Sequence, residues 1–163
     1  MPDANQAYLQ VGHTHKIHNE IEILANYLQA QLFKSSQVCT HVQKLAPNLD
    51  LGSVQAIATW VWTHIQQDRP LFDSPSIHKA LARGVGHRGL ILSTILFACG
   101  HPHKVYLSRE TRALHDPDLS SLDDFPYMLL KLDQQWLDPQ LPNIPLGLVN
   151  SPYAGGAALF ALP

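Results

Sequence analysis

The chain reads as an α+β fold in which a central buried helix lies on an antiparallel sheet behind an N-terminal helical prelude. Three observations predict it. Up to Cys99 apolar residues recur at three- and four-residue steps, and beyond Gly100 they fall into short strand-like runs. One helical stretch, about Gly86 to Cys99, is apolar nearly all round, which marks a helix enclosed by other elements. Helices first and strands second give segregated layers, not the alternation of a parallel α/β sheet.

Taken in order, Ile17, Ile21, Leu24, Leu28 and Leu32 share one face of a helix ending near Phe33. Ser35 or Ser36 caps a second, short helix with Val38, Val42 and Leu45 inward and Pro47 closing it. Residues 1–50 form the prelude, packed on a core of 51–163 within one compact domain. Ser53 caps a third helix with Val54, Ile57, Val61 and Ile65 inward and Trp60 and Trp62 on its flanks. Ser74 followed by Pro75 opens a fourth, which Gly84 ends. The central helix follows, with Leu90, Ile91, Leu92, Ile95, Leu96, Phe97 and Ala98, and it stops at Gly100 with Pro102 beyond. Lys104 to Leu107 is a strand, then an acidic loop runs from Arg109 to Asp124. Met128 to Leu132 and Gln135 to Leu137 form a hairpin around Asp133-Gln134. A Pro- and Gly-rich passage leads to a last strand within Ala157 to Leu162.

Composition removes several classes of function. At 163 residues, 45% hydrophobic and 15% charged, the chain can bury a real core and is not of disordered type. A formal charge of -2, with eleven scattered Lys and Arg, gives no basic stripe for nucleic acid. No apolar run reaches the roughly 18 residues of a membrane span, and MPDANQAYLQ lacks the parts of a signal peptide. The abrupt end at Leu162-Pro163 is compatible with a module of a longer protein. Cys39 and Cys99 make neither a disulfide framework nor a zinc motif, which favours a reducing, cytoplasmic setting. Protonating all ten histidines would carry the formal charge from -2 to +8, so partner binding and solubility can change near pH 6.

The richest local feature is Arg83-Gly84-Val85-Gly86-His87-Arg88-Gly89 before the apolar helix. A helix start offers free N–H groups and a partial positive charge, which can stabilise a thiolate and hold an oxyanion. Yet Val85 and Gly86, the positions that could carry the thiol, have no nucleophilic atom.

Several residues together resemble the transglutaminase-like superfamily, relatives of the papain-like cysteine proteases. They are Gly84, Gly89, the turn Ala98-Cys99-Gly100-His101-Pro102, the strand Lys104-Val105-Tyr106-Leu107, then Phe125-Pro126-Tyr127-Met128 and Trp136-Leu137-Asp138-Pro139. The resemblance spans roughly Val54 to Leu162 and implies a transglutaminase-like/papain-like core. It implies a triad of Val85, or Gly86 one step on, in place of the nucleophile, Tyr127 in place of the base and Asp138 as orienter. Only Asp138 keeps a suitable group. Acyl transfer needs a sulfur and an imidazole titrating near neutrality, and a tyrosine with a reference pKa of about 10 is a poor base there.

The expected function is therefore that of a pseudoenzyme. It would bind a protein or extended peptide over a groove bordered by His87, Tyr127, Trp136 and Asp138, without cofactor. The Tyr127 hydroxyl is expected to donate to Asp138, and Asp138 can equally be a hairpin-end carboxylate holding backbone amides before Pro139. His87 next to the vacant position reads as an exposed first-turn residue, or as a base activating water in an active hydrolase. A cysteine-type peptidase, amidase or acyl transferase would need Cys39 or Cys99 as a non-standard nucleophile, though both read as inert, Cys99 buried against the core. A third alternative is metal binding by the N-terminal histidines His13, His15 and His18, but His13 and His15 point to different sides of a helix and the cluster reads better as a solvated helix entry. His101 and His103, flanking Pro102, read as a solvated turn, and no metal site is assigned.

Overall fold

A computed structural model describes residues 37–67, 75–108, 127–140 and 158–162, together with helical positions Glu22, Ile23, Ala25, Asn26, Gln29 and Ala30. The chain is α+β. Its elements are α1 (Val38–Leu45), α2 (Val54–His64), β1 (Gln66–Gln67), α3 (Ile77–Arg83), β2 (Val85–Gly86), α4 (Arg88–Ala98), β3 (Lys104–Ser108), β4 (Tyr127–Leu132), β5 (Gln135–Leu137) and β6 (Ala158–Leu162). The inward positions expected for the first prelude helix, Ile17 to Leu32, lie outside the described residues, although positions 22–30 that are described are helical.

Helix α4 is central because it meets α1, α2 and α3 as well as β4. That enclosure explains its lack of a polar face: Gly89 to Leu96 are all buried. Burying a Leu or Ile side chain contributes about 1.5–3 kcal/mol, so Leu90, Ile91, Leu92, Ile95 and Leu96 are a major source of stability. Phe97 departs from the expected all-round burial, being 49% exposed. The helix closes in a Schellman motif, with His101 N donating to Leu96 O (2.8 Å) and Gly100 N to Phe97 O (3.1 Å). Gly100 takes φ 85° to make it possible.

The sheet order is β5-β4-β3-β6, antiparallel throughout its described pairs. Side chains alternate across it. Val105, Leu107, Met128, Leu130 and Leu137 belong to the core shared with α4. On the other face Tyr106 meets Trp136 edge-on at 4.9 Å, and the Lys131 ammonium lies 5.3 Å from the Trp136 ring centre. The β4–β5 hairpin turns at Asp133, whose φ of 51° is one that Asp tolerates better than most residues.

Two boundaries and one burial differ from the sequence expectation. Helix α3 begins at Ile77, two residues after Pro75, and α4 begins at Arg88 instead of Gly86. The cause of the second is a parallel bridge between β1 and β2, Gln66 with Val85 and Gln67 with Gly86, which draws those residues into extended backbone. Leu45, expected inward, is 49% exposed, while Val38 and Val42 are buried as the spacing predicts. Ser53 caps α2 as expected, its Oγ accepting from Ala56 N at 3.2 Å.

The largest correction concerns the cysteines. Cys39 on α1 and Cys99 at the end of α4 form a disulfide across 60 residues, with Cα atoms 5.2 Å apart. This removes the ground on which unpaired cysteines favoured a reducing compartment. No helix among the described residues is long and apolar enough to cross a membrane.

Candidate functional site

The start of α4 lies where the sequence places a catalytic centre, and its residues are committed to holding the chain together. His87 is the N-cap: its Nδ1 accepts from Leu90 N at 3.2 Å. Arg88 N, the first amide of the helix proper, donates to the Gln67 side-chain oxygen at 2.8 Å. Two of the amides that a helix start leaves available are thus taken by the protein's own side chains. Gln67 can reach Arg88 because the β1–β2 bridge holds both strands in register.

His87 is not exposed, as its first-turn position suggested, but 3% accessible. Burial pushes its pKa down to about 4, partly offset by a backbone hydrogen bond at His87 itself, so the ring is neutral at pH 7. A neutral ring also suits a helix N-terminus, where a cation would oppose the dipole. With Nδ1 accepting, the ring proton sits on Nε2. The ring and Met128 close over the same spot: a Cβ added at Gly89 would lie 2.8 Å from Met128 Cβ and 3.2 Å from His87 Cε1. That contact accounts for the glycine expected at this small position.

Val85 and Gly86 belong to β2, ahead of the helix. Gly86 is buried at φ 155° and Val85 is half-buried. Tyr127 opens β4, half-buried and opposite Ser108. Strand alternation sets it on the side away from Met128, so Met128 is the residue that β4 turns toward the α4 start. Trp136 is held on the outer face between Tyr106 and Lys131. Asp138 is 3% accessible, and its Oδ1 accepts from Gln140 N at 2.9 Å, the backbone-holding turn considered for it.

Beside this buried cluster lies a more accessible one. The Arg88 Nε donates to Ile65 O at 2.6 Å, and its guanidinium carbon lies 5.3 Å from the centre of the part-exposed Trp62 ring. Burial lowers the Arg88 pKa, which leaves it charged at any physiological pH. Neither residue was singled out as a binding group from sequence, because their proximity depends on how α2 packs against α4.

Sequence reading also missed a Ser–His pair. Ser93 Oγ and His103 Nε2 are 2.7 Å apart, and His103 Nδ1 lies 2.8 Å from His101 O. Since a carbonyl only accepts, Nδ1 carries the proton and Nε2 accepts from the serine hydroxyl. Burial, first of all, lowers the His103 pKa and keeps the ring neutral. This is the arrangement used to activate a serine, but Ser93 is 4% accessible and sits inside α4, where neighbouring amides serve the helix. It ties α4 to the entry of β3. His101 is likewise engaged, its Nε2 donating to Leu51 O at 2.8 Å. The solvated-turn expectation for these two histidines is therefore replaced by half-buried, hydrogen-bonded ones. A serine within an otherwise apolar helix was the available clue.

No thiol competes for a catalytic role in this structure, because the chain's two cysteines are bonded to each other at the opposite end of α4. Among the described residues, no three His, Cys, Asp or Glu side chains group to hold a metal ion. His13, His15 and His18 lie outside the described residues.

No family model and no curated protein matches the chain. Among solved structures, a crystal structure provisionally described as a protease from Parabacteroides distasonis is similar at 18% identity and TM-score 0.49, over 71% of this chain and 25% of that one. This chain spans about a quarter of that protein's length. A likeness of this size assigns neither activity nor substrate.

Proposed function

We propose that the chain is a catalytically inactive transglutaminase-like domain that works by binding a protein or extended peptide. The observation that carries this reading is the closed α4 start, where Gln67 and His87 take up helix amides that a reaction would need for an oxyanion. The thiol that such chemistry requires is absent from that end of the helix. With His87 and Asp138 buried, the side chains near the α4 start that are exposed or half-buried among the described residues include Trp62, Val85 and Arg88. An exposed indole with a guanidinium above it is a familiar anchor at protein interfaces.

The test uses the oxidised full chain. Incubated with a panel of peptides, amides and esters, it is expected to turn over none, and an extended-peptide display library is expected to yield binders that Trp62→Ala weakens at least tenfold. Turnover abolished by His87→Asn would overturn the reading in favour of a water-activating hydrolase. Binders indifferent to both Trp62→Ala and Arg88→Ala would remove the proposed surface.

A further inference from the structure

We propose that His41 and His78 form a two-histidine site for a divalent transition metal ion, joining α1 to α3. Their rings are 5.8 Å apart between centroids at an interplanar angle of 80°. His41 is half-buried and His78 exposed, so solvent and ions reach the pair. Each ring has the other as its described partner, and among the described residues no hydrogen bond to the imidazole nitrogens of either is seen. The Ser93–His103 and His101–Leu51 pairs differ in this respect, since their ring nitrogens are spent on internal bonds.

The geometry fits a shared ion closely enough to be reached by side-chain rotation. With metal–nitrogen bonds of about 2.0–2.1 Å, two imidazoles on one tetrahedral ion have centroids about 5 Å apart. Closing from 5.8 Å needs a change of less than 1 Å, within the range of ordinary rotamer motion on a partly exposed surface. Imidazole nitrogen selects copper, nickel or zinc over magnesium or calcium, and copper(II) should bind most tightly of the three. Water completes the coordination. Because the two ligands come from separate helices, the ion would add a cross-link between α1 and α3, on the same helix that the disulfide already ties to α4.

The experiment uses the oxidised full chain carrying His13→Ala, His15→Ala and His18→Ala, so that the N-terminal histidines cannot answer for the site. Isothermal titration with copper(II), nickel(II) and zinc(II) in a non-chelating buffer is expected to show one ion per chain and the order just given, with no response to magnesium. His41→Ala and His78→Ala, made singly, should each weaken binding at least tenfold and abolish the metal-dependent rise in Tm. In NMR spectra, sub-stoichiometric copper(II) should broaden the ring protons of both residues first. Absence of binding in the parent, or binding unchanged in His78→Ala, whose exposed position leaves the fold intact, would overturn the proposal.

Discussion

His87 shows how one residue's environment sets its chemistry. Its native pKa of about 4 lies below its ordinary 6.5, so the unfolded chain binds a proton that the folded chain refuses. Stability from this group is fully present above pH 6.5 and is lost as the pH falls toward 4, by about 3 kcal/mol at the low end. Urea unfolding measured between pH 4 and 7 should show a flatter dependence for His87→Asn, which keeps a capping side chain but does not titrate. Gly89→Ala forces a Cβ into Met128 Cβ at 2.8 Å, and should destabilise by about 1–3 kcal/mol despite alanine's higher helix propensity. The proposed bond from the Tyr127 hydroxyl to Asp138 has its own check: a double-mutant cycle of Tyr127→Phe and Asp138→Asn should return a coupling of about 1 kcal/mol. Additive effects would remove that bond.

At the level of elements, α4 has a different anchor at each end. Its start is held by Gln67, through a two-residue parallel bridge, and its end by the disulfide to α1. An 11-residue helix is about 16 Å long, so the two anchors are separate and should contribute independently. Closing a 60-residue loop restricts the unfolded chain, and reduction or a Cys39→Ser, Cys99→Ser double variant should cost about 4 kcal/mol, read as a lower urea midpoint. An unchanged midpoint would mean that the cross-link does not constrain the unfolded ensemble. Gln67→Ala should act at the other end, costing about 1–3 kcal/mol by leaving the Arg88 amide without its acceptor.

Among the described residues, α4 is enclosed by α1, α2, α3 and the sheet, and this arrangement governs what the surface near it can offer. Polar groups that sequence alone placed near a reacting centre, His87 and Asp138, are buried and bonded inward. Among the described residues, the accessible side chains near the α4 start include the Trp62–Arg88 pair, assembled from two helices. A folded domain organised this way should give peptide binding without turnover.

Much of the fold was legible in the sequence because its signals are local. Ser53 as a cap, the three- and four-residue apolar steps, the Gly100 stop, and the hairpin around Asp133-Gln134 each depend on neighbours within a few positions. The polar character of the α4 start was legible in part: a histidine before an apolar helix could be named, but its burial depends on Met128, 41 positions away in the chain. Tertiary structure alone decided the Cys39–Cys99 bond, the β1–β2 bridge, the Ser93–His103 pair and the His41–His78 contact. Each of these needs the angle at which one element crosses another. Periodicity along the chain records which face of a helix turns inward and carries no information about which residue waits on the other side.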